Sequence, residues 1–195
     1  MQLPHNIVDN YISSSKKQFQ YYKSLADKSI NSLSDEEFFG VNYAHLSSNE
    51  TNSVAVIVKH IAGNMKSRWT DPFHTDGEKE WRHRELEFRD EDWSREQIIT
   101  YWDEAWKILF DFIDSLNVEN FSQLLYIRNM GHTVIEAMNR QMMHYAYHIG
   151  QIVIVAKIYK GEDWKSLSIP KGKSRTYNAE KFSKEKSKKH FTEDL

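Results

Sequence analysis

The chain has 195 residues, a formal net charge of −2, 28% charged and 39% hydrophobic residues, and no cysteine. That length suits one domain with a sizeable core, and the near-neutral charge gives no global reason to expect nucleic acid or an anionic membrane as partner. The missing cysteine excludes disulfides, thiolate metal ligands and a cysteine nucleophile, so any metal site must use His, Asp, Glu or water.

The N-terminal stretch MQLPHNIVDNYISSSKKQF lacks the basic start, apolar run and small-residue cleavage site of a signal peptide. The apolar runs SVAVIV and IVIVA are too short to span a bilayer. A cytoplasmic protein is the expectation. Only 3 prolines and 7 glycines are present, which suits long helices better than a many-turned β architecture.

Four segments carry helical periodicity. The first covers about 5–30, with Val8, Ile12, Phe19, Tyr22 and Ala26 on one stripe. The second covers about 48–69, with Val54, Ile57, Val58, Ile61, Met65 and Trp69 on its apolar face and Ser47 with Glu50 as a capping box. The third covers about 94–116, with Ile98, Trp102, Ala105, Trp106, Leu109, Phe110, Ile113 and Leu116 as its apolar positions and Ser94 with Gln97 as the capping box at its start. The fourth covers about 133–160. Thr133 and Glu136 form its T-x-x-E cap, and Gly161 is a natural stop. Four long amphipathic helices bury their stripes most simply against each other. The predicted class is all-α, an up-down four-helix bundle.

Three further segments lie outside those helices. SDEEFFG at 34–40 adds one helical turn. Residues 70–93 form a long charged connection whose aromatics, Phe73, Trp81, Phe88 and Trp93, indicate that it packs against the body. Residues 122–132 suggest a short two-stranded ribbon turning at Asn129–Gly131 before the last helix. The expected domain spans 1–170, followed by a basic, mobile tail over 171–195. Its lysines at 181, 184, 186, 188 and 189 are diluted by Glu180, Glu185, Glu193 and Asp194, and no nucleic-acid reading motif accompanies them.

Histidines carry the chemical signal. His144 and His148 lie four apart in HYAYHIGQI, on one face of the fourth helix and roughly 6 Å apart. They sit beside the core stripe of Tyr145, Ile149, Ile152 and Ala156, together with Gln141 and Gln151. Bundle metal sites are built at that rim. His60 in VIVKHIAGNM borders another apolar stripe and is the candidate third ligand. Three histidines would leave one coordination position open, the arrangement of a catalytic metal. Each histidine taken alone reads equally as an ordinary boundary residue. His5, His45, His74, His83, His132 and His190 need only that reading, with His132 or His83 as the substitute ligand if the set of three fails.

These residues resemble the DinB/YfiT-like metalloenzyme family. The likeness rests on His60 in KHIAGNMKSRW and on the H-x-x-x-H-x-G-Q run of His144, His148, Gly150 and Gln151, and it spans roughly residues 5–160. SRWTDPFHTDGEKEWRHRELEF and NRQMMHYAYHIGQIV look like an uncharacterised branch found in bacilli and relatives. The resemblance implies a four-helix bundle with a metal on His60, His144 and His148, zinc or nickel, and a homodimer formed through helix faces. Some members of that family look like transferases joining bacillithiol or mycothiol to an electrophile. A low-molecular-weight thiol is therefore the implied cosubstrate, acting on a small molecule.

An open three-histidine metal is a Lewis acid that can activate water or hold a thiolate. A thiol arriving with the cosubstrate suits a chain without cysteine. The motif H-Y-A-Y-H lacks the helical glutamate of H-E-x-x-H zinc proteases, which counts against peptidase chemistry. Gln151 and Asn64 are candidates to orient a ligand or equally ordinary helix-edge amides. Arg140 is a candidate to bind a carboxylate at the pocket mouth, with a surface salt bridge as its ordinary reading. Trp69 or Trp81 could wall the pocket, with core packing the preferred reading of both. The leading expectation is a thiol-dependent S-transferase. Metal-dependent hydrolysis and a noncatalytic metal- or ligand-binding bundle are the alternatives, and no catalytic residue beyond the metal ligands is identified.

Overall fold

Local sequence signals set most of the helix boundaries. The computed structural model describes residues 5–41, 51–89 and 93–194. Helix α1 runs His5–Ser32 and is followed by the short α2, Asp35–Phe39. A reciprocal capping box starts α2: Ser34 Oγ accepts from the Glu37 amide and Glu37 accepts from the Ser34 amide. Helix α4, Arg95–Ser115, begins with the predicted Ser94–Gln97 box, and α5, Val134–Lys160, with the predicted Thr133–Glu136 box. Helix α5 ends at Gly161, whose φ of 51° is the positive-φ conformation that suits glycine at a helix end.

Helix α3, Val54–Trp69, departs from expectation. It starts at Val54 rather than near 48, because Ser53 is the cap: its hydroxyl accepts from the Val56 amide at 3.1 Å. Ser47, Glu50 and His45 lie outside the described residues. The helix is also buried all round, with every residue except Lys66 covered. The connection after it explains this. Residues 70–89 fold back along the outer face of α3 through turns and a 3-10 helix, Arg84–Phe88. The polar residues Lys59, His60, Asn64 and Arg68 are therefore buried along with the apolar stripe.

Helix α3 packs chiefly along α4 and α1 along α5, while α3 also meets α5 and α1 meets α4. Their inward stripes form one apolar core that includes Phe19, Ile61, Met65, Trp102, Trp106, Leu109, Tyr145 and Ile152. Full burial of an aliphatic or Phe side chain stabilises by roughly 1.5–3 kcal/mol. Trp106 sits between Trp102 and Tyr145 in edge-on contacts at centroid distances of 5.4 and 6.3 Å.

The ribbon is present. Strands β1, Leu124–Ile127, and β2, Met130–Thr133, pair antiparallel with Ile127 opposite Met130. Its turn is Arg128–Asn129, one residue earlier than predicted, with φ of 54° and 61°. Positive φ at both central residues marks a type I′ hairpin. Asp76, from the connection, accepts both turn amides at 2.8 Å. This ties hairpin and connection together at one end of the helices. Beyond α5, helix α6, Ser174–Phe182, has no buried residue. Phe191 then meets the Tyr21 ring at 6.0 Å, and Glu193 pairs with Lys17, so the last described residues touch α1. No helix among the described residues is long and apolar enough to cross a membrane.

Candidate metal centre

Helices α3 and α5 bring His60, His144 and His148 together, with one ring nitrogen of each within 4.8 Å of the others. The one-turn spacing on α5 sets the first pair, and their Nε2 atoms are 3.2 Å apart. Two nitrogens held at 2.0–2.1 Å from one tetrahedral ion stand about 3.3 Å apart, so this spacing matches a shared ion. His60 comes from α3, its ring centroid 5.5 Å from that of His144 and 5.0 Å from that of His148.

Two of the three outer nitrogens are held as metal-binding imidazoles commonly are. His60 Nδ1 lies 2.9 Å from Glu87 Oε2, and His148 Nδ1 lies 2.9 Å from Gln151 Oε1. Each oxygen can accept an Nδ1–H, which assigns that tautomer and leaves the Nε2 lone pair facing the cluster. His144 Nδ1 is buried without a partner. Burial, followed by the nearby His148 and His60, pushes the His144 imidazole down to about 3, and burial lowers His148 as well. The His144 and His148 rings are thus held neutral, the state in which an imidazole binds a metal. Donor type, tautomer and spacing all fit a divalent ion.

Glu87 is the residue that sequence reasoning missed. It is 9% exposed and also receives Arg82 in a two-pronged pair, Nε to Oε1 at 2.8 Å and a terminal nitrogen to Oε2 at 2.9 Å. Gly63, one turn after His60, makes room for it: a Cβ there would lie 2.2 Å from Glu87 Oε1 and 2.8 Å from Cδ. The only sequence trace of this arrangement was a glycine inside a helical stripe near His60. Nothing in the charged connection distinguished Glu87 from its neighbours.

The other candidates separate clearly. Gln151 contacts His148 as described. Asn64 accepts from the Tyr145 hydroxyl at 3.3 Å and lines a cavity beside the cluster. Arg140 lines the same cavity and lies 3.0 Å from His132 Nε2. Trp69 is in the core instead, stacked on Phe112 at 4.6 Å and donating to Tyr145. Trp81 is exposed and lines a different cavity with Lys59, Leu86 and Trp93. Neither His83 nor His132 joins the cluster.

A protein-family model matches residues 6–173. The chain belongs to that family, which is described as protein of unknown function (DUF1572). No curated protein and no solved structure matches the chain. In this DUF1572 member the matched span takes in all four long helices, the hairpin and the three clustered histidines.

Proposed function

We propose that this DUF1572 protein is a metal-dependent enzyme in which His60, His144 and His148 hold one divalent ion, zinc or nickel, and leave a coordination position for a small-molecule substrate. The observation that carries the proposal is the convergence of three imidazoles from two helices, with Glu87 on the outer nitrogen of His60 and Gln151 on that of His148. Three imidazole ligands suit zinc and nickel alike. The likeness of H-x-x-x-H-x-G-Q to the DinB/YfiT-like family supports the same reading, together with its up-down four-helix bundle and cytoplasmic setting. The end of the family match at 173 supports a domain boundary near residue 170.

A bound ion would supply a Lewis acid able to lower the pKa of a coordinated thiol or water. Thiol-dependent S-transfer is the reaction this chain suits best. The protein has no cysteine of its own, so the thiol comes with a low-molecular-weight cosubstrate. Glu87, the carboxylate at the cluster, is engaged by Arg82 and His60 and is not free to act as a general base.

A homodimer is part of the proposal. Met143, Tyr147, Ile154 and Ile158 are 68%, 66%, 50% and 49% exposed along one side of α5. Singly such residues are ordinary, but in a row on one helix they form an apolar stripe fit for a second copy.

The test is metal content of protein purified without a polyhistidine tag, compared with the His144→Ala/His148→Ala double variant. Near-stoichiometric zinc or nickel in the wild type and none in the folded variant supports the site. Equal lack of metal in both, with no uptake of added zinc or nickel, refutes it. With metal bound, conjugation of a thiol to an electrophile above background supports transfer. Turnover without thiol would favour hydrolysis, and metal-dependent stability without turnover a noncatalytic bundle.

A further inference from the structure

Beside the histidine cluster lies a cavity of about 220 Å³ with an unusual lining. Five of its residues are arginines: Arg68, Arg82, Arg84, Arg128 and Arg140. They arrive from four places, α3, the 70–89 connection, the β1–β2 turn and α5, so no local pattern in the chain assembles them. Asn64, Gln141, His60 and His144 complete the lining, and none of the nine residues is acidic.

The carboxylates that pair with these arginines stand outside the lining. Glu78 serves Arg68, Arg82 and Arg128, Glu87 serves Arg82, and the exposed Glu85 lies 3.4 Å from Arg84. Arg140 meets no carboxylate among the described residues and has only His132 at hydrogen-bond distance. Five guanidiniums against the three carboxylates Glu78, Glu85 and Glu87 leave an excess of positive charge around the cavity, which a bound anion would balance.

A second observation points the same way. Among the described residues, four buried side-chain polar atoms have no hydrogen-bond partner, and three of them, Arg68 Nε, Gln141 Oε1 and His144 Nδ1, belong to residues lining this cavity. Buried polar groups are rarely left unmatched, and such orphans commonly mark a missing ligand, ion or water. Two of the three are nitrogens able to donate, and a side-chain amide can turn to present its NH₂ group.

We propose that this cavity binds the oxyanion group, carboxylate or phosphate, of a small substrate or cosubstrate, placing the rest of that molecule against the histidine cluster. The inference deepens the metal-site reading, because His60 and His144 border both. Guanidinium groups bind carboxylates and phosphates through paired N–H donors. The volume far exceeds the roughly 30 Å³ of a water but falls below the roughly 300 Å³ at which drug-sized pockets begin. It therefore suits a small acid, or the charged end of a longer molecule.

The experiment is calorimetric titration of chelator-treated, metal-free protein with sodium succinate, with sodium phosphate and with neutral succinamide, in a buffer free of other oxyanions. Wild type should bind at least one anion and not succinamide. Arg140→Gln, which strands no carboxylate, should weaken that binding about tenfold or more, while its uptake of added zinc, measured separately, matches that of wild type. Arg128→Gln is the second variant, with the same expectation, in case Arg140→Gln does not fold. Succinate alone identifies a carboxylate ligand and phosphate alone a phosphoryl ligand. Binding of neither anion, or equal binding by wild type and variants, overturns the proposal. Because the titration needs no metal, anion binding by a protein that never takes up zinc or nickel would refute the metal reading and leave this one standing.

Discussion

Gly63→Ala is the most informative single change. In an ordinary helix interior alanine is favoured over glycine by about 1 kcal/mol. Here the added Cβ would fall 2.2 Å from Glu87 Oε1 and 2.8 Å from its Cδ. The carboxylate cannot swing aside freely, because Arg82 grips both oxygens and His60 holds one. Displacing it breaks a buried ion pair, a loss on the order of 3–5 kcal/mol. The net expectation is destabilisation by about 2–4 kcal/mol, a fall in Tm of about 5–15 °C for a chain of this size. Thermal and urea unfolding of metal-free protein measure it, and zinc titration should show affinity weakened about 10–100-fold. Gly150→Ala is the control. That glycine is also in a helix, nothing lies within 4 Å of its Cβ position, and the substitution should stabilise by up to about 1 kcal/mol. A Gly63→Ala protein as stable as wild type, with unchanged zinc affinity, would refute the argument that Glu87 is locked against α3.

Zinc at about 100 times its dissociation constant should stabilise wild type by about 2.7 kcal/mol, and leave the His144→Ala/His148→Ala variant unmoved in the same thermal scan. Gln151→Ala, which frees His148 Nδ1, should weaken zinc binding about tenfold without lowering the helix content seen by circular dichroism. Thr133→Ala removes the α5 cap and should cost about 1 kcal/mol in urea unfolding, with metal content unchanged. If α5 carries the dimer, Met143→Asp/Tyr147→Asp should convert a two-chain species to a single chain in light scattering, while unchanged mass would remove that face from consideration.

Part of this protein was legible in its sequence because some structural signals are local. Ser94 with Gln97 and Thr133 with Glu136 mark helix starts through bonds that span three residues, and those starts appear where they were read. His144 and His148 share a face through helix geometry alone. Other features depend on what lies across a gap in the chain. The stripe on α3 was readable, but its polar side is also buried because the 70–89 segment covers it. Ser53 caps that helix, six residues beyond the serine that the sequence pattern singled out. Glu87 reaches His60 across 27 residues, and the five arginines converge from four separate segments that lack any common period. Short-range hydrogen bonding and periodic burial are written in neighbouring residues. Which charged side chain of an aperiodic connection is drawn inward is decided only when the helices have packed and a buried imidazole and guanidinium need a partner.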